Sequence, residues 1–595
     1  MSQEFKPAEQ WNTQLGAILA VAGSAVGLGN FLRFPGLVAL YGGGSFMIAY
    51  AVSFLLIGIP LCLAEWTMGR YGGSRGFHSA AGIISCVVRH PIGKYIGVFN
   101  IMVPVCLFMY YACIEAWTLG YAVNAFTGDL HFSSIDQTRD FFNTFVGMGE
   151  NAGAAALSLK TAGVFLLAVI VINMLILWRG LSKGIELFCS YAMPALIVIA
   201  IVILVRVLTL GTPNPALPEN NVNNGLGFMW NPTKVVLETR ATPEAAWRRI
   251  PAKDGGELIG EAAIARAQAQ AAASPDTVRI GRVTMWGQLS NPQLWLAAAG
   301  QVFFTLSVGM GVLSTYASYL RRRDDVVLGS ITSASVNEFC EVGLGGLISL
   351  PAGVAFLGVA SLAGMCSTFE LGFNVLPLVF AQLPFGMFFA FLFFFLLFLA
   401  AATSSISMLQ PGLAFLEEAL NVNRKQALAI LSTLTVLGTG YCFFFSKNLH
   451  AIATLDFWAG NLLVFVCGMT NIIIFAWIFP LERGWRQMHQ GARLRLPLFF
   501  KYILKYVTPL FLLAVFGYWL LDVFGVFSSG TGQASTYIRE LFVHPSPVAW
   551  GGVLIMVFFF IFGALIVRAS PKLPRAHRVH ERRRRARKTQ PTTNL

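Results

Sequence analysis

A chain of 595 residues that is 56% hydrophobic and only 12% charged is not an ordinary soluble domain, which carries about twice that charge. The net charge of +14 would suit a nucleic-acid partner, but the basic residues crowd short loops and the tail between apolar blocks, which is a membrane-topology signal. The nine cysteines show no CxxC or other metal-ligand spacing, so neither a disulfide framework nor a metal cluster is read.

About twelve apolar blocks of spanning length follow one another, near residues 13–40, 45–68, 91–125, 161–179, 185–210, 292–320, 331–363, 375–402, 427–446, 451–480, 500–526 and 548–568. A polar segment, 1–12, precedes the first and shows no small-residue cleavage site, so this block is read as a span and not as a removed signal peptide. At its centre stands "GSAVGLGNFLRFP" (23–35), with three glycines, a serine, an asparagine and an arginine where apolar residues are expected. An arginine at mid-membrane costs at least ~2.5–3.5 kcal/mol on insertion scales, which excludes an ordinary lipid-facing helix. Gly23 and Gly27 also form GxxxG, a helix-packing pattern. Three observations argue for more than packing: the sixth block has its own break, "TLSVGMG" (305–311); Asn30 and Arg33 are too polar for a seam; and the eighth block runs into the hydroxyl cluster "AAATSSISM" (400–408).

With the N-terminus inside, the loops 126–160 and 211–291 are external, and the second contains an Ala-rich stretch of helical propensity, "GEAAIARAQAQAAAS" (260–274), read as an outer decoration. The basic loops 70–94, 321–323 and 483–505 and the tail 571–595, with "RRRRARK" at 582–588, then share one side. By the positive-inside rule they and both termini face the cytoplasm, and the tail can also touch anionic headgroups. His78, His90 and His450 fall at loop positions and read as solvated.

Each glycine break leads a group of five blocks. Five is odd, so the second group enters from the opposite side. The fold expected is an all-α polytopic membrane protein of about twelve helices: a 5+5 inverted repeat (13–210 and 292–480) with broken helices 1 and 6, the loop 211–291 between the halves, and two further helices in 481–570. A break is tolerated only inside the protein or facing a cavity. It frees carbonyls that suit a hard cation such as Na⁺, and it presents a half-helix N-terminus that suits a carboxylate. Asn30, Thr305, Asn337, Thr403 and Ser404 can add side-chain oxygens. A channel would need a continuous polar pore, whereas the polar groups concentrate at two breaks. No HExxH, GxSxG or intramembrane aspartate pair points to an enzyme.

At these residues the sequence resembles the neurotransmitter:sodium symporter family, in particular its bacterial amino-acid transporters of the leucine-transporter type. The resemblance rests on "WNTQLGAILAVAGSAVGLGNFLRFP" (11–35), "GGGSFMIAY" (42–50), "EWTMGRYGG" (65–73), "GQVFFTLSVGMG" (300–311), "LGGLISLPAGVAFLG" (344–358), "TSSISMLQP" (403–411) and "DFWAGN" (456–461), and covers nearly all of the first ten blocks. It implies a sodium-coupled symporter in the bacterial inner membrane, working by alternating access on neutral, hydrophobic amino acids, bulky or aromatic ones included. A proton-driven carrier of the same fold is the alternative.

The resemblance further implies two sodium ions. The first would be held by the Ala25 carbonyl, the side chains of Asn30, Thr305 and Asn337, and the substrate carboxylate; the second by carbonyls of Gly23, Val26 and Ala400 with the hydroxyls of Thr403 and Ser404. The substrate carboxylate would meet the Leu28 and Gly29 amides and the Tyr111 hydroxyl, and its ammonium the carbonyls of Ala25, Phe304 and Thr305 and the Ser307 hydroxyl. Leu107, Tyr111, Phe304, Met310, Ser404 and Met408 would line the side-chain pocket. Monoamine members carry an aspartate where this chain has Gly27, which argues for a substrate with its own carboxylate. Arg33 and Asp456 would pair as the outer gate; Trp11 would plug the inner path, and Glu418 would stand at the acidic inner-gate position. Glu65 would support the broken sixth helix, and Gly184 and Pro194 match the spacing of a fifth helix that unwinds. Glu341 stands where chloride-dependent members have a small hydroxyl residue, beside Tyr50, Gln301 and Thr305, so its carboxylate would replace chloride. Two departures are Ser24, where asparagine is frequent, and Ala8, where the family has its inner-gate arginine, with Lys6 the nearby substitute.

Overall fold

The computed structural model describes residues 9–526 and 534–573, and most of them are helical. Lys6, Ala8 and the basic run 582–588 lie outside the described residues. Among the described residues nine helices are long and apolar enough to cross a membrane. A tenth span is made of two helices, α1 (Gln14–Ala25) and α2 (Gly29–Leu40), bent by 48° at a short break. In chain order follow α3 (Gly44–Gly73), α4 (Ile92–Thr127), α5 (Ala162–Trp178) and α6 (Leu181–Leu208). Then come α7 (Pro292–Thr305) and α8 (Val312–Ser318), the two pieces of the sixth apolar block. The series closes with α9 (Val326–Gly364), α10 (Gly386–Leu420), α11 (Arg424–Phe444), α12 (Lys447–Ile478), α13 (Phe499–Val523) and α14 (Pro547–Ala569).

The core sits where α4 and α10 pack along each other, with α1 held among α6, α9 and α10. The eighth span is displaced from its expected bounds of 375–402. Residues 368–381 form a separate short helix, Phe385 turns the chain in the left-handed region (φ 57), and α10 starts at Gly386. It continues through the hydroxyl cluster because those hydroxyls bond back to the helix: Thr403 Oγ1 donates to Leu399 O (3.1 Å) and Ser407 Oγ to Thr403 O (2.7 Å).

The loop 211–291 is more than its Ala-rich helix, Glu261–Ala273. It also holds a four-stranded antiparallel sheet: β1 (Lys234–Thr239) pairs with β4 (Val278–Val283) along its length on one edge, and with β2 (Arg248–Arg249) and β3 (Glu257–Leu258) in turn on the other. The strands are short and their faces only partly buried, so no long alternation marked them in the sequence. This insert is fastened to the spans at two places. Ser45 Oγ donates to Pro232 O (3.1 Å) at the α2–α3 turn, and Gly225 lets the backbone of Pro351 on α9 approach so closely that a Cβ there would lie 2.5 Å from its Cα.

Two of the three histidines read as solvated, His78 and His450, have side-chain partners. His78 stacks on Tyr319 at 4.6 Å, with Nδ1 3.0 Å from Ser318 Oγ; burial, with Lys572 adding to it, pushes its imidazole down to about 4, so it stays neutral near pH 7. His450 lies 2.9 Å from Glu540. His90 is exposed, as expected.

Candidate substrate and ion site

The two breaks meet at the centre of the fold. In a continuous helix the Gly27 amide would bond to Gly23 O, four residues back. Here Val26 is extended (ψ 100) and the Gly27 amide donates to Asn30 Oδ1 instead (2.8 Å). The freed end of α1 is taken up by side chains from elsewhere: Ser404 Oγ donates to Gly23 O and Ser24 O (3.3 Å each) and Ser307 Oγ to Ser24 O (2.9 Å). Ser24 thus ties the first break to the second, and its own Oγ lies 3.4 Å from Ser307 Oγ. Between α7 and α8 the chain turns through left-handed conformations at Ser307, Gly309 and Gly311. Gly309 (φ 77) also lies against the Val464 carbonyl, where no Cβ fits. Its amide donates to Glu65 Oε1 (2.8 Å), which also accepts from Asn471 (2.7 Å), so Glu65 supports the break as expected.

Around the breaks lie two oxygen clusters. In the first, Asn30 Nδ2 donates to Asn337 Oδ1 (2.9 Å), and Thr305 Oγ1 lies 3.1 Å from the same oxygen; Ala25 is the last residue of α1. The Glu341 carboxylate is fully buried here and takes hydrogen bonds from Tyr50 (2.7 Å), Thr305 (2.8 Å) and Gln301. Tyr50 also reaches Glu338 (2.8 Å), a carboxylate that the sequence reading passed over although it adjoins Asn337. In the second cluster Thr403 Oγ1 donates to Ala400 O (3.0 Å), and Ser404 bonds to Gly23; a Cβ at Gly23 would stand 3.2 Å from Thr403 Cβ. Val26 is buried at this end of α1.

The Leu28 amide donates to the Tyr111 hydroxyl (3.3 Å), and a Cβ on Gly27 would meet Ser404 Oγ at 2.8 Å and the Tyr111 hydroxyl at 3.0 Å. A Cβ on Gly29 would strike the Phe304 ring at 2.8 Å. Leu107, Tyr111, Ser307, Met310, Ser404 and Met408 are buried, while Phe304 is half-buried. The breaks therefore bring the Leu28 amide, the Tyr111 and Ser404 hydroxyls and the Phe304 ring together in one place.

The gate pair expected from the sequence is not formed. Arg33 lies over the Phe304 ring (4.9 Å to its centroid), whereas Asp456 accepts from Tyr110 (2.7 Å) and Asn461 (3.4 Å); no ion pair joins Arg33 to Asp456. The guanidinium finds the ring face, and the carboxylate is satisfied by neutral donors.

The acid that meets the start of α1 is not the one expected. Trp11 is buried, donates to Tyr316 O (3.0 Å) and packs edge-on to that ring. Glu418 does not face the N-terminal segment. It accepts from the His78 and Ser79 amides (2.6 and 3.1 Å) and the Ser79 hydroxyl (2.7 Å), capping the short helix Ala80–Val87, whose free amides favour an anion. The acid that holds the start of α1 is Glu186, which accepts from the Asn12 and Thr13 amides (2.9 and 3.1 Å) and the Thr13 hydroxyl (3.2 Å). It sits in the π-helical turn Leu181–Glu186 that opens α6, and no local sequence pattern joins it to Asn12. Replacing the carboxylate in Glu186→Gln removes charge-assisted bonds of about 1.5–3 kcal/mol each. Labelling of the buried Cys189, read by mass spectrometry, is expected to rise about tenfold for a loss of ~1.4 kcal/mol in the latch. An unchanged rate would show that Glu186 does not latch the inner side.

The sodium:neurotransmitter symporter family model matches residues 8–156 and 276–565. An uncharacterized sodium-dependent transporter of Methanocaldococcus jannaschii is 26% identical over 547 residues, covering 90% of this chain and 94% of that protein. The human sodium- and chloride-dependent GABA transporter 2 is 24% identical over 550 residues, covering 85% and 79%. Among solved structures, MhsT in complex with L-phenylalanine superposes with a TM-score of 0.66 at 26% identity, covering 86% of this chain and 99% of that one.

Proposed function

Because the chain belongs to the sodium:neurotransmitter symporter family and is a multi-pass, sodium-dependent transporter, we propose that it carries neutral, hydrophobic amino acids inward together with two sodium ions, by alternating access and without chloride. The observation that carries this reading is the meeting of both helix breaks over one set of oxygens, beside the Phe304 ring. One ion takes the cluster of Ala25, Asn30, Thr305 and Asn337, completed by the substrate carboxylate, so ion and substrate each fill a gap in the other's shell. The other takes Gly23, Val26, Ala400, Thr403 and Ser404. The carboxylate also meets the Leu28 and Gly29 amides and the Tyr111 hydroxyl. Gly27 leaves room for it, and Met310 and Met408 adapt the lining to several side-chain shapes. MhsT, bound to phenylalanine, supports a bulky substrate. Two inward charges supply ~4.6 kcal/mol per 100 mV, roughly a thousandfold accumulation before the sodium gradient is counted.

The proposed division of the chain is a segment 1–12, repeats 13–210 and 292–480 with the outer insert between them, a two-helix unit in 481–570 and a basic tail, with both termini in the cytoplasm of a bacterial cell. Proteoliposomes containing the full chain, offered labelled amino acids with and without a sodium gradient, test the main reading. Accumulation of leucine- or phenylalanine-like substrates only with external sodium is the expected result. Uptake that persists with lithium or potassium, driven by a pH gradient alone, would overturn it in favour of a proton-driven carrier.

Glu341 supports chloride independence, since its carboxylate accepts from the Tyr50, Thr305 and Gln301 donors that would otherwise face an anion. Glu341→Ser is expected to lower uptake about tenfold in chloride-free buffer, the equivalent of ~1.4 kcal/mol, and added chloride should restore it. A variant indifferent to chloride would remove this role from Glu341.

A further inference from the structure

Away from the breaks, a groove of about 400 Å³ opens on the outer surface of the helix bundle between α5, α6 and α10. One end holds two cations, Arg179 and Lys183, both exposed and neither with an ion-pair or hydrogen-bond partner for its charged group among the described residues. The acids nearest in sequence and space are engaged elsewhere. Glu9 accepts from the Leu181 amide (3.0 Å) and pairs with Arg424 (3.4 Å), Glu417 approaches the same arginine, and Glu186 holds the start of α1. The rest of the groove is apolar and faces outward within two membrane spans: Leu187 and Tyr191 from α6 stand exposed, and Phe395 and Leu399 from α10 form the floor.

Exposed apolar side chains within a span face acyl chains, so a charged mouth at one end of such a groove fits one chemistry. We propose that the groove binds an anionic phospholipid, its phosphate between Arg179 and Lys183 and an acyl chain along Leu187, Tyr191, Phe395 and Leu399. Two features give the site a consequence for transport. The cations belong to, or adjoin, the π-helical turn Leu181–Glu186, whose Glu186 latches α1. The floor residue Leu399 directly precedes Ala400, and its carbonyl accepts from Thr403 Oγ1 in the second oxygen cluster (3.1 Å). A bound lipid therefore braces both the inner latch and one wall of an ion site.

Native mass spectrometry of the full-length chain in mild detergent tests the proposal, with phosphatidylglycerol and phosphatidylcholine offered in equal amounts. Preferential retention of one phosphatidylglycerol is expected. Arg179→Gln/Lys183→Gln should reduce it about thirtyfold, from the usual contribution of two cations to anionic-lipid binding. Ala195→Trp, which fills the groove without changing its charge, should abolish it. An equal pair of substitutions in another exposed basic loop, Arg321→Gln/Arg322→Gln, should leave it unchanged. Equal retention of both lipids, displacement by excess inorganic phosphate, full retention in Ala195→Trp or equal loss in the control pair would each overturn it. These readouts do not depend on sodium or substrate, so they stand apart from any failure of the transport reading.

Discussion

Gly27→Asp is expected to abolish amino-acid uptake, by about a thousandfold, while the protein still folds. A Cβ at this position already meets Ser404 Oγ at 2.8 Å and the Tyr111 hydroxyl at 3.0 Å, so a side chain fits only by displacing two groups of the proposed substrate pocket. Its carboxylate would then compete with the substrate's own for the Leu28 amide and the Tyr111 hydroxyl. Two like charges about 4 Å apart repel by ~4 kcal/mol at an effective dielectric constant of about 20, near a factor of a thousand. Gly27→Ala separates crowding from charge and should lose far less. Amines without a carboxylate should bind Gly27→Asp better than amino acids do. Competition binding with both ligand classes reads this directly, and unchanged amino-acid affinity in Gly27→Asp would place the substrate carboxylate elsewhere.

Asn30→Ala should lower sodium-driven uptake at least about a hundredfold. Asn30 is fully buried; its Oδ1 satisfies the Gly27 amide and its Nδ2 the Asn337 side chain. Truncation leaves both without that partner, at ~1–3 kcal/mol each, and removes a proposed ion ligand. The signature that separates ion binding from simple destabilisation is the sodium dependence of substrate binding. It should shift to much higher sodium in Asn30→Ala and much less in Thr67→Ala, whose buried hydroxyl bonds only within its own helix. Equal shifts in both variants would mean that Asn30 is structural.

The two breaks were legible because each violates the composition of a span. Glycine, asparagine and arginine at mid-membrane need partners, and the structure supplies them across the break: Gly27 to Asn30, Ser24 to Ser307, Gly309 to Glu65. Glu341 was legible for the same reason, as a carboxylate among Tyr50, Gln301 and Thr305. What the sequence hid were choices among equivalent partners. Glu186 and Glu418 are both acids near helix ends, and nothing local says that the first holds α1 while the second caps the helix at Ala80. Arg33 was read as paired with Asp456, but an aromatic face and neutral donors satisfy the two groups separately. The start of α10 was misplaced because 375–402 was taken as one apolar run, although Gln382, Pro384 and Gly386 flank the left-handed turn at Phe385 that divides it. The insert sheet was missed because two of its strands have two residues each and the six-residue ones, KVVLET and VRIGRV, keep no strict alternation, which left the Ala-rich helix as the one visible signal.

The fastening of the insert to both the α2–α3 turn and α9 has a practical outcome. Asn30 and Asn337 lie on α2 and α9, and the segment just before β1 touches both parts of the fold, through Pro232 with Ser45 and Gly225 with Pro351. A rearrangement that moves α2 against α9 would therefore strain these contacts. The largely exposed helix Glu261–Ala273 belongs to the same insert. A dye or antibody fragment placed there would report the working cycle from the surface, and a rigid binder gripping both helix and bilayer-facing rim would arrest it.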